Sequence, residues 1–135
     1  MNVLVIDSQG GGIGRQVVAA LKERFPQVTV TAVGTNSAAT AAMRKAGADR
    51  TATGENPVLV ACRKADVIIG PIGIVIADAM MGEITPAMAQ AVGQSEAIRL
   101  LIPVNHCENI VVGVPDLNLS RLIQATMEAL GQIVE

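Results

Sequence analysis

Four glycines stand within five positions of the segment Asp7-Ser8-Gln9-Gly10-Gly11-Gly12-Ile13-Gly14-Arg15. The apolar run Val3-Leu4-Val5-Ile6 precedes it, and a helix-type spacing of Ile13, Val17, Val18, Leu21 and Phe25 follows. A strand, a glycine turn and a helix in that order form a candidate phosphate cradle. Glycine lets an anion approach the backbone, and the helix start offers unpaired N–H groups at a positive dipole end. Asp7 is the one acid in this segment. A carboxylate at a strand tip is costly to bury unpaired, so it either accepts N–H groups of its own loop or binds Mg²⁺ or a ribose hydroxyl. Glu55 and Glu83 either favour nearby helix starts or line the site. His106 and Cys107 are weaker catalytic candidates. Neighbours in a turn rarely aim at one ion, and Cys62 falls on a predicted helix, so no metal site is expected. A nucleophilic Cys107 would need a lowered pKa, which sequence adjacency to His106 does not supply.

Strand one is expected over Asn2 to Ile6 and helix one over Ile13 to about Phe25, stopped by Pro26. Val28 to Val33 reads as strand two. Gly34-Thr35-Asn36-Ser37 then supplies a turn and a cap for helix two, Ala38 to Ala46, with Gly47 suited to its end. A weak third strand falls near Asp49 to Ala52. Asn56-Pro57 reads as cap and first residue of helix three. Val67-Ile68-Ile69 is the uninterrupted apolar run of a central parallel strand. The segment Ile72 to Met81 leaves a strand extension, a helix or a flap open. Thr85-Pro86 opens another helix, and Ile98 to Val104 gives a fifth strand. Ile110 to Val114 could form a sixth, joined by a turn around Asn105 to Asn109, and the last strand could run antiparallel. Leu119, Leu122, Ile123, Met127 and Leu130 mark a final helix with one buried face.

Alternating strands and helices imply an α/β doubly wound, Rossmann-like domain over residues 1–135. It would have a central parallel sheet of about five strands and helices on both faces. Ligands of such sheets bind at the carboxyl ends of the strands. The expected binding residues are therefore Asp7, Ser8, Gln9, Gly10, Gly11, Gly12, Ile13 and Gly14 after strand one, and Gly34, Thr35 and Asn36 after strand two. Gly70, Pro71, Ile72 and Gly73 follow strand four, and Asn105 follows strand five.

The loop departs from three known types. A Gly-x-Gly-x-x-Gly dinucleotide fingerprint starting at Gly10 would need glycine where Arg15 stands. Gly12-Ile13-Gly14 resembles the short-chain dehydrogenase/reductase turn, but Asp7 and Ser8 replace its Thr-Gly, and the chain has no Tyr for that family's chemistry. Gly11-Gly12-Ile13-Gly14-Arg15-Gln16 is similar to the deviant Walker loop of partition-type ATPases. There Arg15 replaces the lysine, and Gln16 replaces the magnesium-binding hydroxyl.

Half of the residues are apolar, only 16% are charged, and the net charge is -2. The balance points away from nucleic acid and acidic membranes. Phe25 is the only residue among Phe, Tyr and Trp, which argues against base-stacking platforms for single-stranded nucleic acid and against flavin sandwiches made from aromatic rings. The low charge favours a homo-oligomer, a dimer first. Met1-Asn2 lacks a basic leader and the apolar runs are too short for a membrane span, so a cytoplasmic location with reduced thiols is expected.

The strings DSQGGGIGR, GTNSAAT with the later AGA, TGEN, DVIIGPIGIVIADAMMGEITP and PVN resemble a small bacterial family, domain of unknown function 3842, over nearly the whole chain. The resemblance implies a single Rossmann-like domain and carries over no catalytic residue. The residues themselves support a nucleotide- or dinucleotide-binding protein with NAD(P) or another nucleotide as ligand. The alternatives are a non-catalytic sensing or interaction module and a Mg-dependent enzyme acting on a phosphorylated metabolite.

Overall fold

A computed structural model describes residues 1–104 and 108–134. The chain runs β1 (Asn2–Asp7), α1 (Gly12–Arg24), β2 (Thr29–Gly34), α2 (Ser37–Lys45), β3 (Arg50–Thr53), α3 (Glu55–Lys64) and β4 (Val67–Pro71). A one-turn 3-10 helix follows at Ile72–Val75, then α4 (Pro86–Gln94), β5 (Ile98–Ile102) and α5 (Leu119–Val134). The sheet order is β3-β2-β1-β4-β5 and every pairing is parallel. The chain winds outward from β1 to β3, then returns to lay β4 on the other side of β1. The β1/β4 boundary is thus the point where strand order reverses, and a crevice forms at the carboxyl ends there.

Burial of β1 explains its sequence. Val3 and Val5 face a core built with α1, α2 and α5, through Val17, Leu21, Met43 and Leu130. Leu4 and Ile6 face a second core with α3 and α4, through Val58, Val92 and Ile84. Each of these four strand side chains is almost fully buried, which stabilises the strand by about 1.5–3 kcal/mol apiece. A strand covered on both faces shows no alternation, so β1 and β4 read as continuous apolar runs.

Two expectations are corrected. First, α3 starts at Glu55 and not after Asn56: the N–H of Gly54 bonds the Gly34 carbonyl at 2.9 Å, and Gly54 turns the chain at φ 111 directly into the helix. Pro57 becomes its third residue, where a missing N–H still costs nothing. Second, Ile110 to Val114 forms no strand; it pairs with nothing in the sheet and carries the chain toward α5. The last strand, β5, runs parallel to β4, so of the two directions left open the chain takes the parallel one. The Thr85 cap holds as expected, its hydroxyl accepting the Met88 N–H at 3.1 Å with Pro86 as first helical residue.

The segment Ile72 to Met81 is neither a strand extension nor an α-helix. After the 3-10 turn it continues as hydrogen-bonded turns over the carboxyl edge of the sheet. Asp78, Met80 and Met81 have φ of 66, 57 and 58, a left-handed backbone that costs a non-glycine residue about 1–2 kcal/mol. Bonds from Asp78 N to Ile84 O at 2.7 Å and from Ile84 N to Ala79 O at 3.2 Å close the turns, and buried Met80 and Ile84 anchor them in the α3/α4 core.

Candidate functional site

The β1–α1 loop is held from below by Asp7. Its Oδ1 accepts the Ser8 N–H at 2.8 Å and its Oδ2 accepts the Gly14 N–H at 2.6 Å. The side chain is 3% exposed. Burial raises its pKa above the usual carboxylate value, the Gly14 and Ser8 N–H groups oppose that rise, and the charge of Glu83 adds to it. Asp7 therefore caps α1 from inside. The bond from Gly11 N to Ser8 O at 3.0 Å closes the turn above it.

The four glycines separate into two kinds. Gly11 has φ 74, and a Cβ there would lie 2.8 Å from the Ala39 backbone. A Cβ on Gly14 would lie 2.6 Å from Met43 Sδ and 2.8 Å from Asp7 Cβ. Those two are glycine because the fold leaves no room. Gly10 and Gly12 are different: neither has a positive φ, and a Cβ on either would meet nothing within 4 Å. They border an open cleft of about 200 Å³, lined by the loop from Asp7 to Ile13 with Gln16 and Leu119. The cleft lies between the starts of α1 and α5.

Beside this cleft a second set of groups meets. Glu83, on the segment after β4, reaches across to the tips of β1 and β2. Its Oε1 accepts the Gln9 N–H at 2.8 Å, the Thr35 hydroxyl at 2.7 Å and the Asn36 Nδ2 at 2.9 Å. These donors, the Thr35 hydroxyl foremost, lower the Glu83 pKa below the usual glutamate value. Asn36 also donates to the Gln9 carbonyl at 2.9 Å, while its Oδ1 caps α2 by accepting the Ala39 N–H. Gln9 sits at φ 50, a strained backbone that these bonds hold on both sides. Ser8 Oγ bonds Met80 Sδ, tying the same two segments together in the interior.

The structure thus gathers Asp7 to Gly14 with Thr35 and Asn36. Gly34 packs under Thr40, whose N would lie 2.5 Å from a Cβ there. Gly70, Pro71 and Gly73 are buried and Ile72 is half-buried, and none of the four lines the cleft. Asn105, His106 and Cys107 lie outside the described residues. Gln16 and Leu119 were not anticipated; nothing in their sequence context separates them from other helix residues. Cys62 is buried in the α3/α4 core, and burial pushes its thiol up to about 11. Among the described residues no group of three or more His, Cys, Asp or Glu could hold a metal, and no helix is long and apolar enough to cross a membrane.

A larger groove of about 730 Å³ runs between α3 and α4, past Asp66 and Ala97 at the amino ends of β4 and β5. It is remote from the glycine loop, and the general rule for open α/β sheets favours the carboxyl edge.

No curated protein matches the chain. Among solved structures it is similar to a dodecameric FMN-dependent Ubix-like decarboxylase from Escherichia coli O157:H7, at 20% identity and a TM-score of 0.49, over 98% of this chain and 76% of that one. Residues 2–135 match the family described as Domain of unknown function (DUF3842), and the chain belongs to that family.

Proposed function

We propose that this protein binds a nucleotide or dinucleotide, NAD(P) among the candidates, with a phosphate of the ligand on the loop Gly10 to Gly14. One observation carries the reading: Gly10 and Gly12 are glycine although neither backbone angle nor internal packing demands it. Their missing side chains keep the cleft open at the start of a helix, the end at which the helix dipole favours an anion. The cleft also adjoins the β1/β4 switch in strand order, where sheets of this type bind ligands.

The non-catalytic form of this reading, a ligand sensor or small subunit, is favoured by a specific observation. The two carboxylates nearest the cleft are both committed: Asp7 to the Ser8 and Gly14 N–H groups, and Glu83 Oε1 to Gln9, Thr35 and Asn36. Asp7 is buried under the loop, and three donors on Oε1 hold Glu83 in its charged form, so neither is set up as a general acid. The protein also self-associates in this account, because Ile110 and Val112 are 85% and 90% exposed on one segment.

The test is ligand-induced thermal stabilisation. Adenosine monophosphate, adenosine diphosphate and NAD should raise the melting temperature of the wild type. Gly12→Asp should abolish the rise while leaving the unliganded melt intact, since its Cβ has open space. Stabilisation that survives Gly12→Asp overturns the reading.

A further inference from the structure

Glu83 is held by one oxygen only. All three of its donors, Gln9 N, Thr35 Oγ1 and Asn36 Nδ2, converge on Oε1. Among the described residues no group bonds Oε2. The single ion pair there, Lys22 with Asp49, is elsewhere on the molecule, so no described cation pairs with the Glu83 carboxylate. The result is a fixed, charged acceptor with two open lone-pair sites, beside the glycine loop and at the tip of β2.

That position has a meaning in doubly wound sheets. When phosphate lies on the first loop, the tip of the second strand faces the adjoining sugar, and an acid there accepts the ribose hydroxyls. This chain has Thr35 and Asn36 at that tip, neither of them acidic. Both instead donate to an acid delivered from across the sheet.

We propose that Glu83 is the sugar-selecting residue of the site, its Oε2 accepting the vicinal hydroxyls of a ribose that carries no 2′-phosphate. This rests on the nucleotide reading given above and narrows it: the ligand class is a ribonucleotide with a free 2′-hydroxyl. A 2′-phosphate would set its charge against that of Glu83, with buried Asp7 adding a second carboxylate nearby, and among the described residues no base forms an ion pair with either acid. A 2′-deoxy sugar would leave one lone pair of Oε2 without its donor. The strained turn at Asp78, Met80 and Met81 serves to bring Glu83 this far from β4.

The experiment is calorimetric titration of the full chain with adenosine monophosphate, its 2′-deoxy form and its 2′-phosphorylated form. Wild type should bind the first most tightly, the 2′-deoxy form about tenfold more weakly, and the 2′-phosphorylated form about 100-fold more weakly. Glu83→Gln keeps a carbonyl acceptor for Gln9, Thr35 and Asn36 but replaces the charge with an amide donor. It should hold its fold by circular dichroism and bring the 2′-phosphorylated form to within a few-fold of the parent nucleotide. Glu83→Ala should lose the same discrimination. A purely structural Glu83 would change affinity for all three ligands together, and unchanged ratios in both variants overturn the proposal. If wild type binds none of the three, nor ribose 5-phosphate, the nucleotide reading itself fails and this proposal with it. Binding that is sensitive to Gly12→Asp but blind to the 2′ position overturns the role of Glu83 alone.

Discussion

Replacing Gly12 and Gly14 with alanine, one at a time, should move stability in opposite directions. Gly12 is the first residue of α1, without a positive φ and with nothing within 4 Å of an added Cβ. Alanine there restricts the unfolded chain at no native cost and should stabilise by about 0.4–1 kcal/mol. For a domain of this size that is a rise in melting temperature of roughly 1–4 °C. At Gly14 the added carbon would lie 2.6 Å from Met43 Sδ, 2.8 Å from Asp7 Cβ and 3.0 Å from Asp7 Oδ2. Met43 is fully buried and Asp7 is pinned by two hydrogen bonds, so neither withdraws without disturbing the core or the helix cap. Overpacking of this kind costs about 1–3 kcal/mol, which lowers the melting temperature by roughly 3–12 °C. Thermal and urea unfolding followed by far-ultraviolet circular dichroism measures both, since the chain has neither Trp nor Tyr as a fluorescent reporter. Equal losses at the two positions would refute the separation of ligand-facing from fold-facing glycines. So would a neutral Gly14→Ala.

Other expectations follow from the same contacts. The Glu83 pKa is lowered by the Thr35 hydroxyl and the Gln9 N–H, so its contribution to stability is present above its ordinary value of 4.5 and lost as pH falls through the lowered one. Glu83→Gln should remove that acid-side loss from a stability-versus-pH curve; a curve identical to wild type would contradict it. Asp7 runs the other way: burial raises its pKa above 3.8, so its contribution is complete below that value and lost as pH rises through the raised one. Asp7→Asn should flatten that slope, and an unchanged slope would mean that Asp7 does not titrate differently in the fold. Cys62 is buried with its thiol pushed up to about 11. In a Cys107→Ser background a disulfide reagent at mildly alkaline pH should modify it at least ~100-fold more slowly in native than in unfolded protein, and equal rates would place the thiol at the surface. Ile110→Ser with Val112→Ser should shift the sedimentation mass toward that of one chain, and a wild type that already sediments as a monomer would exclude self-association through this segment.

The parts of the fold that sequence revealed were those with a single physical cause. β1 and β4 read as strands because both of their faces are buried, and Thr85-Pro86 read as a helix start because the hydroxyl and the ring each do their work locally. β3 gave a weak signal because it is an edge strand with half-exposed side chains. Asn56-Pro57 carried the same cap pattern as Thr85-Pro86, yet Gly54, bonded to Gly34, turned the chain two residues earlier. Ile110 to Val114 has the β-branched composition of a strand but no partner in the sheet, a fact composition does not contain.

The candidate site was legible to a similar depth. Gly10 to Gly14 marked the loop, but which glycines serve the fold was decided by Ala39 and Met43, on another helix. Glu83 stood as an acid with two readings. Its meeting with Gln9 and Thr35, 74 and 48 residues away, depends on strained turns that no periodicity announces.

The central claim is that phosphate rests on Gly10 and Gly12. The most direct test is a two-dimensional amide proton–nitrogen spectrum of the labelled protein, recorded while adenosine diphosphate is titrated in. The account predicts that the Gly10, Gly12 and Ile13 amides move first and furthest, with Gln9 and Thr35 following. Shifts centred on the α3/α4 groove around Cys62 and Gln94, or a glycine loop unmoved at millimolar nucleotide, would contradict it.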